Sequence, residues 1–480
     1  MSVRKKTASG IFWMSLDVLM IRGLTFITSI LLARLLSPEE FGLVGMLLIF
    51  IAIGTTLVES GLSESLIRTI APDQRDFSSV FYVNILLSLL AYLILYFTAP
   101  WIAHFYGVPA LVSLARAYGV TFVLSGLSVV QSTILLREHK FKKLMLLNLP
   151  GSIAGASVGL YMGYSGSGVW SIIFMYLTIY GVQALFLWLF STWRPSWVFS
   201  RKRIIYHLNF GYKLLLSGLI NAVFNNLYNV IIGKFFAVRF LGYYERSYAF
   251  SQQPVMILSG VLAKVTYPIM AEIRENKERV SNMYRLLFQT SFFLAAPIMI
   301  IAAALAKPIF SYFLGPAWEG AATFFQILCL ASVFYPINAF NLNILKVYGR
   351  TDLFLKLEVI KKAIMSAGLA IGFYFGIVGL LWSLVAAAFM ALLVNASYSA
   401  ILIGYGPVKQ LKDMAPIALI SGLTYILLHF LSANLDMETE IIRITLLTCL
   451  GIGVYLLLAL LLKIPVLSFI KGVIKNHLRL

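Results

Sequence analysis

Seven basic side chains lie within or near the ends of the first ten apolar segments of this 480-residue chain: Arg22, Arg116, Lys213, Lys234, Arg246, Lys264 and Lys307. The acids in comparable positions are Asp17, Glu59 and Glu245. A charge at the centre of a membrane helix costs about 2.5–3.5 kcal/mol, and such residues usually face a wet cavity. Because arginine binds phosphate oxygens two at a time, this cationic excess favours an anionic or phosphorylated cargo.

Several of these charges also admit a purely structural interpretation. The four lysines lie within a turn or two of a segment end, so their stems could carry the ammonium groups to the membrane interface. Arg116 and Arg246 lie one to two turns inside their segments, whereas Arg22 lies in the middle of the first one. Asp17 stands five residues before Arg22 and could form a structural pair with it.

A second polar feature is the sequence NAVFNNLYNV, which interrupts a long apolar run. On a continuous helix, Asn221, Asn225 and Asn229 fall within an arc of about 80°. Amides beside hydroxyls suit sugars, so this row favours the wall of a water-filled cavity.

Polar residues elsewhere extend this interpretation and limit it. Asn341 in a later segment could continue the lining, and Thr25 belongs to a broader polar arc on the first segment. Alternatively, the amides join neighbouring helices, at about 0.6–2 kcal/mol each. We expect that second role for Asn226, because it lies off the row by about 60° on a helix.

Motifs for nucleotide, metal or covalent chemistry are absent from the sequence. There is no P-loop and no HExxH, and the five histidines are scattered. We therefore expect no catalytic residue, no metal, no cofactor and no enzymatic activity. A membrane enzyme such as a polysaccharide polymerase would need a substantial outside loop, and the longest one here is LSANLDMETE.

These side chains must be positioned by membrane helices. The chain is 60% hydrophobic and only 12% charged, with a mean hydropathy of +0.89, which predicts an all-α polytopic membrane protein. The apolar runs predict fourteen transmembrane helices, at residues 11–36, 41–62, 79–104, 109–135, 144–164, 168–193, 208–236, 241–268, 285–313, 320–345, 353–375, 378–402, 414–431 and 441–462. The net charge of +19 is concentrated in alternate loops, which predicts that both termini are cytoplasmic.

Short matches indicate an internal repeat. ARLLSPEEFG (33–42) aligns with GKFFAVRFLG (233–242), which places Gly42 on Gly242. APWIAHFYG (99–107) aligns in the same order with KPIFSYFLG (307–315). The pattern predicts a six-helix bundle over residues 1–200, a second over 201–405, and two extra helices with a basic cytoplasmic tail over 406–480. A central cavity is expected between two such bundles.

The openings GIFWMSLDVLMIRGLTFITSILLARLLSPEEFG and GYYERSYAFSQQP resemble Wzx-type polysaccharide flippases. The branch is that of the colanic-acid and lipopolysaccharide biosynthesis exporters, within the multidrug/oligosaccharidyl-lipid/polysaccharide superfamily. This resemblance implies a bacterial inner-membrane exporter that moves undecaprenyl-pyrophosphate-linked oligosaccharides to the outer leaflet by alternating access. In the related lipid II flippases, arginines of the first and eighth spans meet the pyrophosphate, and Arg22 and Arg246 occupy the matching places. Thr28 departs from the pattern, where another lumen arginine would align.

Residues and resemblance together define a predicted site. Its pyrophosphate-binding residues are Arg22, Arg246, Arg116 and Lys264, and its sugar-facing residues are Asn221, Asn225, Asn229, Thr25 and Asn341. Asp17 and Glu59 could couple transport to an ion, although membrane potential could also suffice. The expected partners are a lipid-linked oligosaccharide, membrane lipids and polysaccharide polymerase machinery, with no nucleic acid. The alternative function is a drug or cation exporter of the same superfamily.

Overall fold

The computed structural model describes residues 3–273, 275–435, 437 and 439–467, and these residues form α-helices and one short 3-10 turn. The first ten helices are α1 (Val3–Leu35), α2 (Pro38–Glu59), α3 (Leu62–Arg68), α4 (Gln74–Tyr106), α5 (Leu111–Gly126), α6 (Val129–Arg137), α7 (Phe141–Tyr164), α8 (Trp170–Phe190), α9 (Arg201–Asn225) and α10 (Leu227–Phe235). The remaining helices are α11 (Val238–Glu272), α12 (Lys277–Ala304), α13 (Ala306–Leu314), α14 (Ala321–Val333), α15 (Tyr335–Val347), α16 (Thr351–Tyr374), α17 (Gly376–Ile403), α18 (Pro407–Asn434) and α19 (Glu440–Leu461). The all-α fold is confirmed.

Every predicted span overlaps a helix or two consecutive helices. Among the described residues, ten helical stretches are long and apolar enough to cross a membrane, or eleven if the bent pair α5–α6 forms one span. The count of fourteen is compatible with this finding and stays a prediction. The least distinct sequence boundary, within 353–402, coincides with the break between α16 and α17, where Gly376 adopts a φ of 72°.

The chain divides into two compact units, Met1–Gly242 and Tyr243–Leu480. The repeat places its boundary at residue 200, so packing and sequence divide the chain differently. Helix α9 opens the second predicted bundle, but it packs against α2, α3 and α4 of the first unit. The bundle boundaries drawn from the repeat stay a prediction about sequence, and the compact units describe how the helices pack.

Local sequence explains where helix α2 begins. Helix α2 starts at Pro38 after a capping box, in which Ser37 accepts from the backbone N–H of Glu40 and Glu40 accepts from that of Ser37.

The two glycines that the repeat aligns, Gly42 and Gly242, lie where their segments pack against each other. A side chain on Gly42 would collide with the backbone carbonyl of Val238, and one on Gly242 with that of Pro38. The two matching segments therefore approach backbone to backbone.

Candidate functional site

Helix α1 carries Arg22 as an exposed side chain. It makes no hydrogen bond or ion pair with another described residue. Asp17 is partly buried, and its Oδ1 has no hydrogen-bond partner within the described part of the chain. The two side chains do not pair with each other, so the structural pair is not formed in this conformation. Thr25 is partly buried and its hydroxyl donates to the Ile21 carbonyl at 2.8 Å, within α1 itself.

Arg116 has a packing role inside the first unit. Its Nε donates to the Tyr96 carbonyl at 3.3 Å, and its guanidinium lies 4.1 Å from the centroid of the Tyr96 ring. These contacts attach α5 to α4 through a hydrogen bond and a cation–π interaction. Binding of pyrophosphate by Arg116 stays a prediction, and it would have to use the guanidinium nitrogens that these contacts leave available.

The remaining two predicted cations belong to α11. Arg246 is partly buried. The next residue, Ser247, is fully buried and donates from its hydroxyl to the Ala321 carbonyl at 2.9 Å, which fixes this part of α11 against α14. Lys264 lies further along the same helix, and its side chain is outside the described residues.

Glu59 is exposed at the last position of α2. The next two residues have left-handed backbones, with φ of 46° at Ser60 and 68° at Gly61, and they turn the chain into α3. At this break the backbone of Gly61 packs closely on that of Gly211 in α9. Glu59 therefore sits beside a helix break that contacts α9, and its role in ion coupling stays a prediction.

The asparagine row does not lie on one continuous helix. Helix α9 ends at Asn225 and α10 begins at Leu227, with Asn226 between them at φ −108° and ψ 7°. Asn221 and Asn225 are exposed, whereas Asn229 is only 4% exposed. The single arc drawn from the sequence is therefore interrupted. We expected Asn226 to join neighbouring helices, but its Nδ2 donates to the Ala222 carbonyl in the last turns of α9, the helix it directly follows, at 2.8 Å.

Asn341 lies inside the second unit, where it is 1% exposed. Its Oδ1 accepts hydrogen bonds from the Tyr284 hydroxyl, from Ser399 Oγ at 3.1 Å and from Gln410 Nε2 at 3.1 Å. Its Nδ2 donates to Gln410 Oε1 at 3.2 Å. These residues come from α15, α12, α17 and α18. We expected Asn341 to line a cavity, and the structure instead makes it the centre of a buried network, here called the Asn341 network.

A second buried cluster, which was not predicted from the sequence, lies in the first unit. His207 on α9 and Asp76 on α4 are both 0% exposed, and His207 Nε2 lies 3.2 Å from Asp76 Oδ1. The second ring nitrogen, Nδ1, lies 2.8 Å from Ser65 Oγ on α3. Arg203 approaches the same carboxylate with its Nε at 3.6 Å. A serine, a histidine and an aspartate in contact resemble a catalytic triad. The complete burial of His207 and Asp76, however, leaves substrate no access to them.

The segment that joins α8 to α9 is attached to the start of α4. Gln74 donates from Nε2 to the Arg194 carbonyl at 2.7 Å and accepts at Oε1 from Trp193 Nε1 at 2.7 Å. Further along, the Ser200 backbone N–H donates to Ser79 Oγ at 2.9 Å. Together with the His207 cluster, these bonds explain why α9 packs with the first unit. The His207 cluster and the contacts of the α8–α9 segment join residues more than 100 positions apart in the sequence. No local sequence motif predicts contacts of this kind.

Long apolar helices, several of which carry cations, define a polytopic membrane protein with charges placed for function. The chain belongs to the family described as polysaccharide biosynthesis protein, whose family model matches residues 31–323. This match confirms the resemblance noted from the sequence.

The relatives carry names from polysaccharide biosynthesis. The chain is 26% identical to the succinoglycan biosynthesis transport protein ExoT of Rhizobium meliloti (strain 1021), over 86% of this chain and 82% of that one. It is 23% identical to the lipopolysaccharide biosynthesis protein WzxC of Escherichia coli (strain K12), over 78% and 76% of the two chains. The teichuronic acid biosynthesis protein TuaB of Bacillus subtilis (strain 168) is 22% identical over 73% of each chain.

Solved structures share the fold. The lipid II flippase MurJ, in an inward closed conformation, aligns with a TM-score of 0.74 and 17% identity, over 94% of this chain and 98% of that one. An inward-facing multidrug resistance MATE family transporter of the MOP superfamily aligns with a TM-score of 0.61 and 19% identity, over 82% and 98% of the two chains. The chain therefore shares the fold of MurJ and of this MATE transporter.

Proposed function

We propose that the protein moves an undecaprenyl-pyrophosphate-linked oligosaccharide from the cytoplasmic to the outer leaflet of a bacterial inner membrane. Its family and the names of its relatives support a role in polysaccharide biosynthesis. Both termini would face the cytoplasm, and alternating access would expose the cargo to each side in turn. The oligosaccharide would pass to polysaccharide polymerase machinery on the outer face.

The observation that carries this proposal is Arg22. An arginine in an apolar helix is expensive unless it faces water or an anion, and Arg22 is exposed without a counter-ion among the described residues. A pyrophosphate supplies that counter-ion and matches the guanidinium fork. Arg246 on α11 would supply a second cation. The exposed Asn221 and Asn225 suit hydroxyl groups, and the polyprenyl tail stays in lipid. No bond is made or broken.

A drug or cation exporter is the second candidate, because MATE transporters share the fold. The sign of the charges favours the first candidate: Arg22 and Arg246 would repel an organic cation. Neither Asp17 nor Glu59 forms an ion pair with Arg22 in the part of the chain that the structure describes.

A deletion strain separates the two candidates. Cells that lack the protein should lose surface polysaccharide and accumulate lipid-linked units on the cytoplasmic face. Complementation with Arg22→Ala or Arg246→Ala should leave polysaccharide low while drug tolerance is unchanged. Units that appeared on the outer face of the deletion strain, or variants that lost drug tolerance but kept polysaccharide, would contradict the proposal.

A further inference from the structure

The second unit contains a cavity of about 170 Å³ between α11, α14, α15 and α17. Two tyrosines stand at it and are partly open to the surroundings: Tyr248 is 40% exposed and Tyr335 is 41% exposed. Polar lining comes from Gln252, Ser332 and Asn338, and the remaining lining residues are Leu and Ala. None of its lining residues is charged, which separates this cavity from a phosphate-binding site.

The polar groups of the cavity are incompletely paired. Gln252 donates from Nε2 to Ser332 Oγ at a long 3.4 Å, and its Oε1 is buried with no hydrogen-bond partner among the described residues. Asn338 Nδ2 donates to the Ala388 carbonyl at 3.1 Å. An amide nitrogen carries two hydrogens, so the Asn338 amide retains a further donor. As placed, Gln252 Oε1 is buried behind the wall. Because the 3.4 Å bond to Ser332 is weak, rotation of the Gln252 amide would turn Oε1 to the cavity, and the wall would then offer an acceptor and a donor to one hydroxyl group.

Asn338, at the wall of the cavity, accepts a hydrogen bond from a buried residue behind it. Asn395 donates from Nδ2 to Asn338 Oδ1 at 2.8 Å, and the Asn395 carbonyl accepts from Ser399 Oγ at 3.3 Å. The single hydroxyl hydrogen of Ser399 lies within reach of both this carbonyl and Asn341 Oδ1, at 3.1 Å from the latter, so Asn395 adjoins the Asn341 network. Because Asn338 is fixed from behind by a fully buried network, its amide is oriented before any ligand arrives.

We propose that this cavity, defined by Tyr248, Gln252, Tyr335 and Asn338, binds one neutral sugar ring of the cargo and discriminates between sugars. The inference rests on the proposed function. Drug-sized sites occupy about 300–1,000 Å³, so this smaller cavity admits a single ring and not a whole oligosaccharide. The tyrosine rings provide flat apolar faces for the C–H side of the sugar. A sugar without the matching hydroxyl leaves Gln252 Oε1 unpaired, and a site built this way rejects such analogues strongly.

Equilibrium binding to the purified full-length protein tests this assignment. The probes are undecaprenyl pyrophosphate without sugar and the same lipid with one glucose, galactose or N-acetylglucosamine. The wild type should bind at least one sugar-bearing lipid about tenfold more tightly than the others. Gln252→Met should remove that preference and leave the affinity for the sugar-free lipid unchanged. Tyr335→Leu should weaken the sugar-bearing lipids together.

Gln253→Met is the matched control, because Gln253 is the neighbouring glutamine on α11 and does not line the cavity. It should keep the wild-type preference. If the wild type binds all four lipids equally, or if Gln252→Met keeps the preference, the cavity holds only water and the inference is overturned. If the wild type binds none of the four lipids, the proposed function itself fails.

Discussion

The asparagines of α9 and those of α15 look alike in the sequence and differ in the structure. Asn221 and Asn225 lie exposed on α9, whereas Asn341 on α15 is buried at the centre of a network. Both groups occur in apolar segments, where the pattern of residues is equally typical of cavity lining. An amide in a membrane helix needs hydrogen-bond partners, and the sequence shows only that need. The packing around the amide decides whether water, substrate or protein supplies the partners.

The largest expected effect comes from Asn341→Leu. The substitution leaves the Tyr284 hydroxyl, Ser399 and Gln410 without their shared partner inside the second unit. Each buried polar group left unsatisfied costs about 1–3 kcal/mol, so we expect the free energy of unfolding to fall by about 3 kcal/mol. Thermal unfolding in detergent would measure it. Asn343→Leu is the control: Asn343 is partly buried and has no side-chain hydrogen bond to another described residue. Equal stability losses would remove the distinction between the network and its surroundings.

His207→Leu tests whether the buried His207 cluster holds α9 in place. Helix α9 carries the exposed asparagines. The substitution leaves Ser65 and the buried Asp76 without the imidazole, so we expect a loss of about 2 kcal/mol in the free energy of unfolding. His104→Leu, at an exposed position in the last turn of α4, should change it by less than about 0.5 kcal/mol. If His207→Leu were as mild as His104→Leu, the cluster would not be what fastens α9 to the first unit.

Asn225→Ala should have the smallest effect on stability and a clear effect on transport. An exposed side chain contributes within about 0.5 kcal/mol to stability. If it meets the sugars, transport should fall several-fold at unchanged protein level. The neighbouring Asn226→Ala should instead lower stability by about 1 kcal/mol, because it removes the bond to the Ala222 carbonyl at the helix break. A transport assay with matched protein amounts compares the two variants, and unchanged transport by Asn225→Ala would mean that Asn225 has no role in the cargo path.

Much of the fold could be predicted from the sequence because lipid leaves the backbone few options. Apolar length located the helices. The alignment of Gly42 with Gly242 indicated a repeat, but it did not predict that the two segments approach each other in space. The packing of α9 could not be predicted, since it depends on His207 meeting Ser65 and Asp76 far away in the chain. Arg22 could be singled out because a charge in an apolar run is rare in itself, and its role in the site stays a prediction. Asn341 was wrongly expected to line a cavity. Helical periodicity gives the direction in which a side chain points, and it does not show whether a cavity or another helix lies in that direction.

The rate of translocation in proteoliposomes tests the central claim most directly. The substrates are undecaprenyl pyrophosphate and undecaprenyl monophosphate that carry the same oligosaccharide, and the proteins are the wild type and Arg22→Ala with equal thermal stability. The wild type should move the pyrophosphate-linked substrate faster than the monophosphate-linked one. Arg22→Ala should lower the pyrophosphate rate about tenfold or more and bring the two rates together. A wild-type rate for Arg22→Ala on the pyrophosphate-linked substrate would contradict the account.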